Sequence, residues 1–119
     1  MRSPVPEAPS PSEAPAEPLA ARALADLAAY QDGSVVSRVL LKNKAGSVTA
    51  FAFAAGEGLS EHTAPADALV VVTDGEAEIT VAGAPHRVGA GEVLRLPGGV
   101  PHALHAAHPF RMLLVMLRA

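Results

Sequence analysis

Gly56-Glu57-Gly58-Leu59-Ser60-Glu61-His62-Thr63-Ala64-Pro65-Ala66-Asp67-Ala68-Leu69-Val70-Val71-Val72-Thr73-Asp74-Gly75 is the stretch whose reading decides the fold. It has an echo downstream, Gly91-Glu92-Val93-Leu94-Arg95-Leu96-Pro97-Gly98-Gly99-Val100-Pro101-His102. In each, a glycine turn leads into a strand that delivers one histidine. The two histidines come from separate parts of the chain, so a common site needs a fold that brings distant strands together.

Outward from this stretch the strand pattern continues in both directions. Val35 to Leu41 reads as a first strand, ended by Lys42-Asn43-Lys44-Ala45-Gly46. Ser47 to Ala54 follows, with Phe51 and Phe53 on one face and small residues on the other. Leu69 to Thr73 is a continuous apolar run. Asp74-Gly75 is a tight-turn signal, and Glu76 to Val81 reads as the returning strand of a hairpin. Gly83-Ala84-Pro85 predicts a further turn before His86 to Val88. The last strand, Phe110 to Leu117, is apolar on both faces. A barrel has one inside, so the spare face is expected to meet either the N-terminal segment or a second subunit.

Upstream the character changes. Residues 1–18 hold six of the eleven prolines among Ala, Ser and Glu, a composition that predicts a disordered tail. Leu19 to Gln31 predicts one short, alanine-rich helix stopped by Asp32-Gly33, with Ala20, Leu24, Leu27 and Gln31 near one face. The 119 residues suit a single domain.

Composition narrows the partners. Half of the residues are apolar but only 3% are aromatic, so Val, Leu and Ala must build most of the core. The net charge of −3 and the scatter of lysines and arginines argue against nucleic acid or an anionic membrane as partner. With no cysteine, disulfides and thiolate sites are excluded. No targeting signal or membrane span is legible, so a cytoplasmic protein is expected.

Short strands separated by Gly/Pro turns about every ten residues indicate an all-β sandwich or barrel. Gly56, His62 and Gly75, with Gly91, Pro97, Gly99 and His102, make the chain resemble the cupin superfamily, over about residues 34–117. The resemblance implies a double-stranded β-helix, or jelly-roll, barrel. In the family, two histidines and a glutamate of the first motif and one histidine of the second usually hold a divalent metal. This sequence departs there: the second histidine position is Ala64, the glutamate position Ala68 or Leu69, and the terminal Asn position Ala106. The resemblance also implies a homodimer. Sequences close to this pattern look like bacterial proteins of unassigned activity.

Three functions are open, the last being a regulatory or structural dimer whose pocket is vestigial. The first is a small-molecule-binding cupin, its pocket lined by His62 and His102. The second is a metal-dependent enzyme of dioxygenase or isomerase type, holding Fe, Mn, Ni, Cu or Zn through His62, His102 and a further ligand. Asp67 is the carboxylate candidate, although it sits one residue short of the family spacing, which in a strand means the opposite face. Glu61 is nearer in sequence but, as the neighbour of His62, should point the other way. Arg95 interrupts an apolar run and is an anchor for a ligand carboxylate if it faces inward, or a surface residue, paired for instance with Glu92, if it faces out. Alternation places His105 outside, and His86 and His108 fall near turns. Met112 and Met116 share a face and read as core filler.

Overall fold

The computed structural model describes residues 20–118. Among the described residues nine strands run in order: β1 (Val35–Asn43), β2 (Gly46–Phe53), β3 (Gly58–His62), β4 (Ala68–Asp74), β5 (Glu76–Val81), β6 (Ala84–Gly89), β7 (Val93–Leu96), β8 (His102–His105) and β9 (Phe110–Leu117). They form a five-stranded sheet of order β1-β2-β9-β4-β7 facing a four-stranded sheet of order β3-β8-β5-β6. Every pairing is antiparallel. This is the expected all-β jelly roll. No helix among the described residues is long and apolar enough to cross a membrane.

The inner faces of the two sheets make one core. Phe53, Phe110, Ile79, Met112, Val70 and Val72 are its largest fully buried side chains. The Phe53 and Phe110 rings stack with centroids 4.5 Å apart. Burying each such side chain stabilises the fold by about 1.5–3 kcal/mol, so these few residues outweigh the many buried alanines.

Two sequence expectations are corrected by the tertiary arrangement. Asp74-Gly75 does not close a hairpin: β4 belongs to the five-stranded sheet and β5 to the four-stranded one. The dipeptide is a corner. Gly75 has φ +74°, and a Cβ there would lie 2.3 Å from the carbonyl oxygen of Pro109, on the neighbouring crossover between β8 and β9. Only glycine allows the two crossovers to pass so closely. The hairpin turn that does form, between β5 and β6, falls at Ala82 and Gly83, one residue ahead of the expected Gly83-Ala84-Pro85. Both of its residues have positive φ, at 50° and 81°. Pro85 lies within β6, an edge strand, where its missing N–H costs no ladder bond.

The helix expected over 19–31 is the second correction. Among the described residues the segment contains only a 3-10 turn, Leu24–Asp26. A short helix with a narrow apolar face is marginal in water, and this segment gains more by lying flat on the barrel. Ala28 is buried, and with Leu27 and Tyr30 it packs on Ala50, Ala52, Val36 and Leu113. The Ala28 carbonyl accepts a hydrogen bond from Arg111 Nε at 2.9 Å rather than from a helical N–H. The Arg111 guanidinium lies 4.1 Å from the Tyr30 ring centroid, and Asp74 Oδ2 accepts from both Tyr30 and Arg111. The N-terminal segment thus covers part of the spare face of β9. The disordered tail expected over residues 1–18 lies outside the described residues.

Candidate functional site

Of the connections at the end of the barrel away from Gly75, two carry the motif residues: 63–67 between β3 and β4, and 97–101 between β7 and β8. Three contacts tie these loops together. Gly98 N donates to Asp67 Oδ1 at 2.7 Å, and Gly99 N donates to the Ala64 carbonyl at 2.8 Å. A Cβ on Gly98 would stand 2.3 Å from the Pro65 carbonyl oxygen, so the loops cross with no room for a side chain. The glycines of the second motif therefore serve the crossing, and the crossing brings the two histidines together.

His62 ends β3 and His102 begins β8, and their Cα positions are register partners across the sheet. The rings meet edge to face, with centroids 4.4 Å apart. His102 is buried at 8% exposure, while His62 stands at the open rim. Each ring has its Nδ1 beside a carbonyl two residues earlier: Ser60 O at 2.9 Å for His62 and Val100 O at 3.3 Å for His102. A carbonyl only accepts, so each Nδ1 carries the proton, and in the neutral form of the ring Nε2 is the atom left with a lone pair. The pair therefore offers two acceptors.

Below them is a cavity of about 60 Å³, lined otherwise by Leu59, Ala64, Ala66, Ala68, Leu96, Leu104, Leu114 and Met116. The small residues at the family's ligand positions thus form its wall. Ala64 and Ala68 leave space where a histidine and a glutamate would fill it.

The other candidates lie elsewhere. Asp67 is exposed and spends one carboxylate oxygen on Gly98, while its own carbonyl accepts from Leu117 N at 2.9 Å. It does not line the cavity. Arg95 is exposed, pairing in register with Leu69 on the outer face of the five-stranded sheet, because alternation along β7 sends Leu96 inward. It is no anchor for a ligand in the barrel. Glu92, its suggested partner, instead accepts the N–H of Gly89 at 2.7 Å. His86, His105 and His108 are exposed. Met112 is core filler at 1% exposure, but Met116 borders the histidine cavity. The two share one face of β9, as alternation predicts, and only their different depths along the strand separate them.

The family's divalent metal can be tested against this donor set. Two imidazoles face the cavity, no carboxylate lines it, and the described residues contain no group of three His, Cys, Asp or Glu side chains able to hold a metal ion. Protein metal sites of this kind take three or four such ligands. The residues present do not fit the group.

Comparison with known proteins agrees with the fold. A family described as the cupin domain matches residues 50–116. A conserved Streptococcus pyogenes protein of unknown function is 32% identical, with 87% of this chain and 90% of that one covered and a TM-score of 0.82. A cupin 2 conserved barrel protein from Leptotrichia buccalis is 40% identical at a TM-score of 0.76, covering 79% of this chain but 46% of that longer one. A cupin superfamily protein from Desulfitobacterium hafniense is 30% identical, covering 81% and 88%, with a TM-score of 0.77. Curated proteins yielded no match. Two crossing motif loops, a histidine pair at the barrel mouth and a family match over more than half of its length make this chain a member of the cupin superfamily.

Proposed function

We propose that this cupin is a small-molecule-binding protein whose ligand donates hydrogen bonds to Nε2 of His62 and His102. The observation that carries the reading is the cavity itself: two oriented acceptors on an otherwise apolar wall. Binding pockets commonly combine a mostly apolar lining with a few placed polar groups. A water needs roughly 10–15 Å³ of such volume, so about 60 Å³ suits a group of about four to six non-hydrogen atoms. Alcohols, phenols and protonated acids have the required donor. The same proposal includes a homodimer, supported by Leu41, Leu69 and Val93, which remain exposed on the outer face of the five-stranded sheet. Sedimentation of the wild type beside Leu69→Lys tests that part.

The binding test is ligand-observed NMR with fragment-sized alcohols and phenols against wild type, His62→Ala and His102→Gln. Binding to wild type that weakens at least tenfold in both variants is the expected result. Equal binding by all three proteins would sink the reading.

A further inference from the structure

The inner face of the five-stranded sheet does not stop at the histidine cavity. Register places Leu96, Ala68, Met116, Ser47 and Lys42 side by side, each opposite the next, from β7 across to β1. The first three line the cavity below His62 and His102. Ser47 and Lys42 carry the same face onward into a groove of about 480 Å³, which shares Ala66 and Met116 with the cavity and adds Pro65, Leu117 and Arg118. Met116 and Ala66 thus border both the small inner chamber and the larger outer one. A methionine side chain, with three rotatable bonds, moves aside at little cost.

Size and charge together specify an occupant. The inner chamber is too small for most ligands, which need a few hundred Å³, whereas the two spaces joined are of ordinary size. The outer groove presents two cations, Lys42 and Arg118, and no acidic side chain lines it. In a chain with 12 acidic and 9 basic side chains, two cations at one groove without an acid run against the overall balance. Neither forms an ion pair with a side chain among the described residues. The apolar floor between cations and histidines is Met116, Ala66, Pro65 and Leu117.

We infer that the ligand is a small amphipathic carboxylate with a hydroxyl at its far end. The hydroxyl reaches the His62/His102 pair, the apolar body lies along Met116, and the carboxylate sits between Lys42 and Arg118. From β9 to β1 is two strand spacings, about 10 Å, so the body is a medium-length chain rather than a two-carbon unit. The inference rests on the barrel reading above and adds the class of molecule bound.

Titration calorimetry with ω-hydroxyoctanoate and its uncharged analogue octanediol, on wild type, Lys42→Gln/Arg118→Gln, His62→Ala and His102→Gln, tests it. The hydroxy acid should bind wild type more tightly than the diol, and the double variant should weaken the acid by roughly tenfold while leaving the diol unchanged. Two results would overturn the anion assignment yet leave the barrel reading standing: the diol binds as well as the acid, or the double variant holds the acid undiminished, provided that the histidine variants lose the diol. Acid binding that needs Lys42 and Arg118 but ignores both histidine variants overturns the inference by removing the barrel reading beneath it. No binding of either probe at millimolar concentration overturns it as well.

Discussion

Replacing Asp67 by Ala removes the acceptor that holds Gly98 N–H at 2.7 Å, one of the contacts joining the two motif loops. Hydrogen bonds to a charged group contribute about 1.5–3 kcal/mol when water is kept away. Asp67 is exposed, so water replaces part of the lost bond, and a cost of about 1 kcal/mol is expected. For a domain of this size that corresponds to a melting temperature lower by about 4–8 °C. Asp67→Asn keeps an acceptor oxygen and should lose less than half as much. The assay is thermal and urea denaturation followed by circular dichroism, with hydrogen exchange at Gly98 and Gly99 reporting where the loss occurs. Gly99 N–H still has the Ala64 carbonyl at 2.8 Å, so its protection should fall less than that of Gly98. An Asp67→Ala protein melting within about 1 °C of wild type would refute the argument that this carboxylate staples the barrel mouth.

Other perturbations follow from the same structure. Gly75→Ala should destabilise by about 2 kcal/mol or more, because the position has φ +74° and the added Cβ meets the Pro109 carbonyl oxygen; a urea midpoint equal to wild type would contradict the corner geometry. Burial, reinforced by the hydrogen bond to Asp74, pushes the Tyr30 hydroxyl from 10.0 up to about 12. A raised acid pKa favours the protonated form in the fold, so its stabilisation is complete below about pH 10 and is lost as pH climbs to about 12. The stability advantage of wild type over Tyr30→Phe should therefore be flat below pH 10 and shrink above it; a difference independent of pH across that window would contradict the cause.

The strands and the two histidines were legible because both depend on local order. Alternation along a strand is a short-range property, so the shared face of Met112 and Met116 and the outward His105 follow from neighbours alone, whereas either face of β7 was open to Arg95 and either face of β9 could be the inner one. The Gly-x-x-x-x-x-His and Pro-x-Gly-x-x-His spacings are each set along one segment and carry the cupin resemblance, which implied a shared site for His62 and His102; the fold brings the two rings together. Asp67 was legible as an acid near the histidines but not as the staple of the Gly98 turn, since its partner lies 31 residues away.

What tertiary structure decided was wherever distant segments compete for the same backbone. Asp74-Gly75 has the local chemistry of a hairpin, and only the passage of Pro109 beside Gly75 turns it into a corner between sheets. The alanine-rich segment 20–31 has helical propensity, yet Ala28 and Tyr30 gain contacts with Leu113, Asp74 and Arg111 by lying flat. Propensity is worth tenths of a kcal/mol per residue, and burial against a preformed sheet outweighs it. The continuity of Leu96, Ala68, Met116, Ser47 and Lys42 is invisible in sequence for the same reason: its members come from five strands, and only strand order sets them side by side.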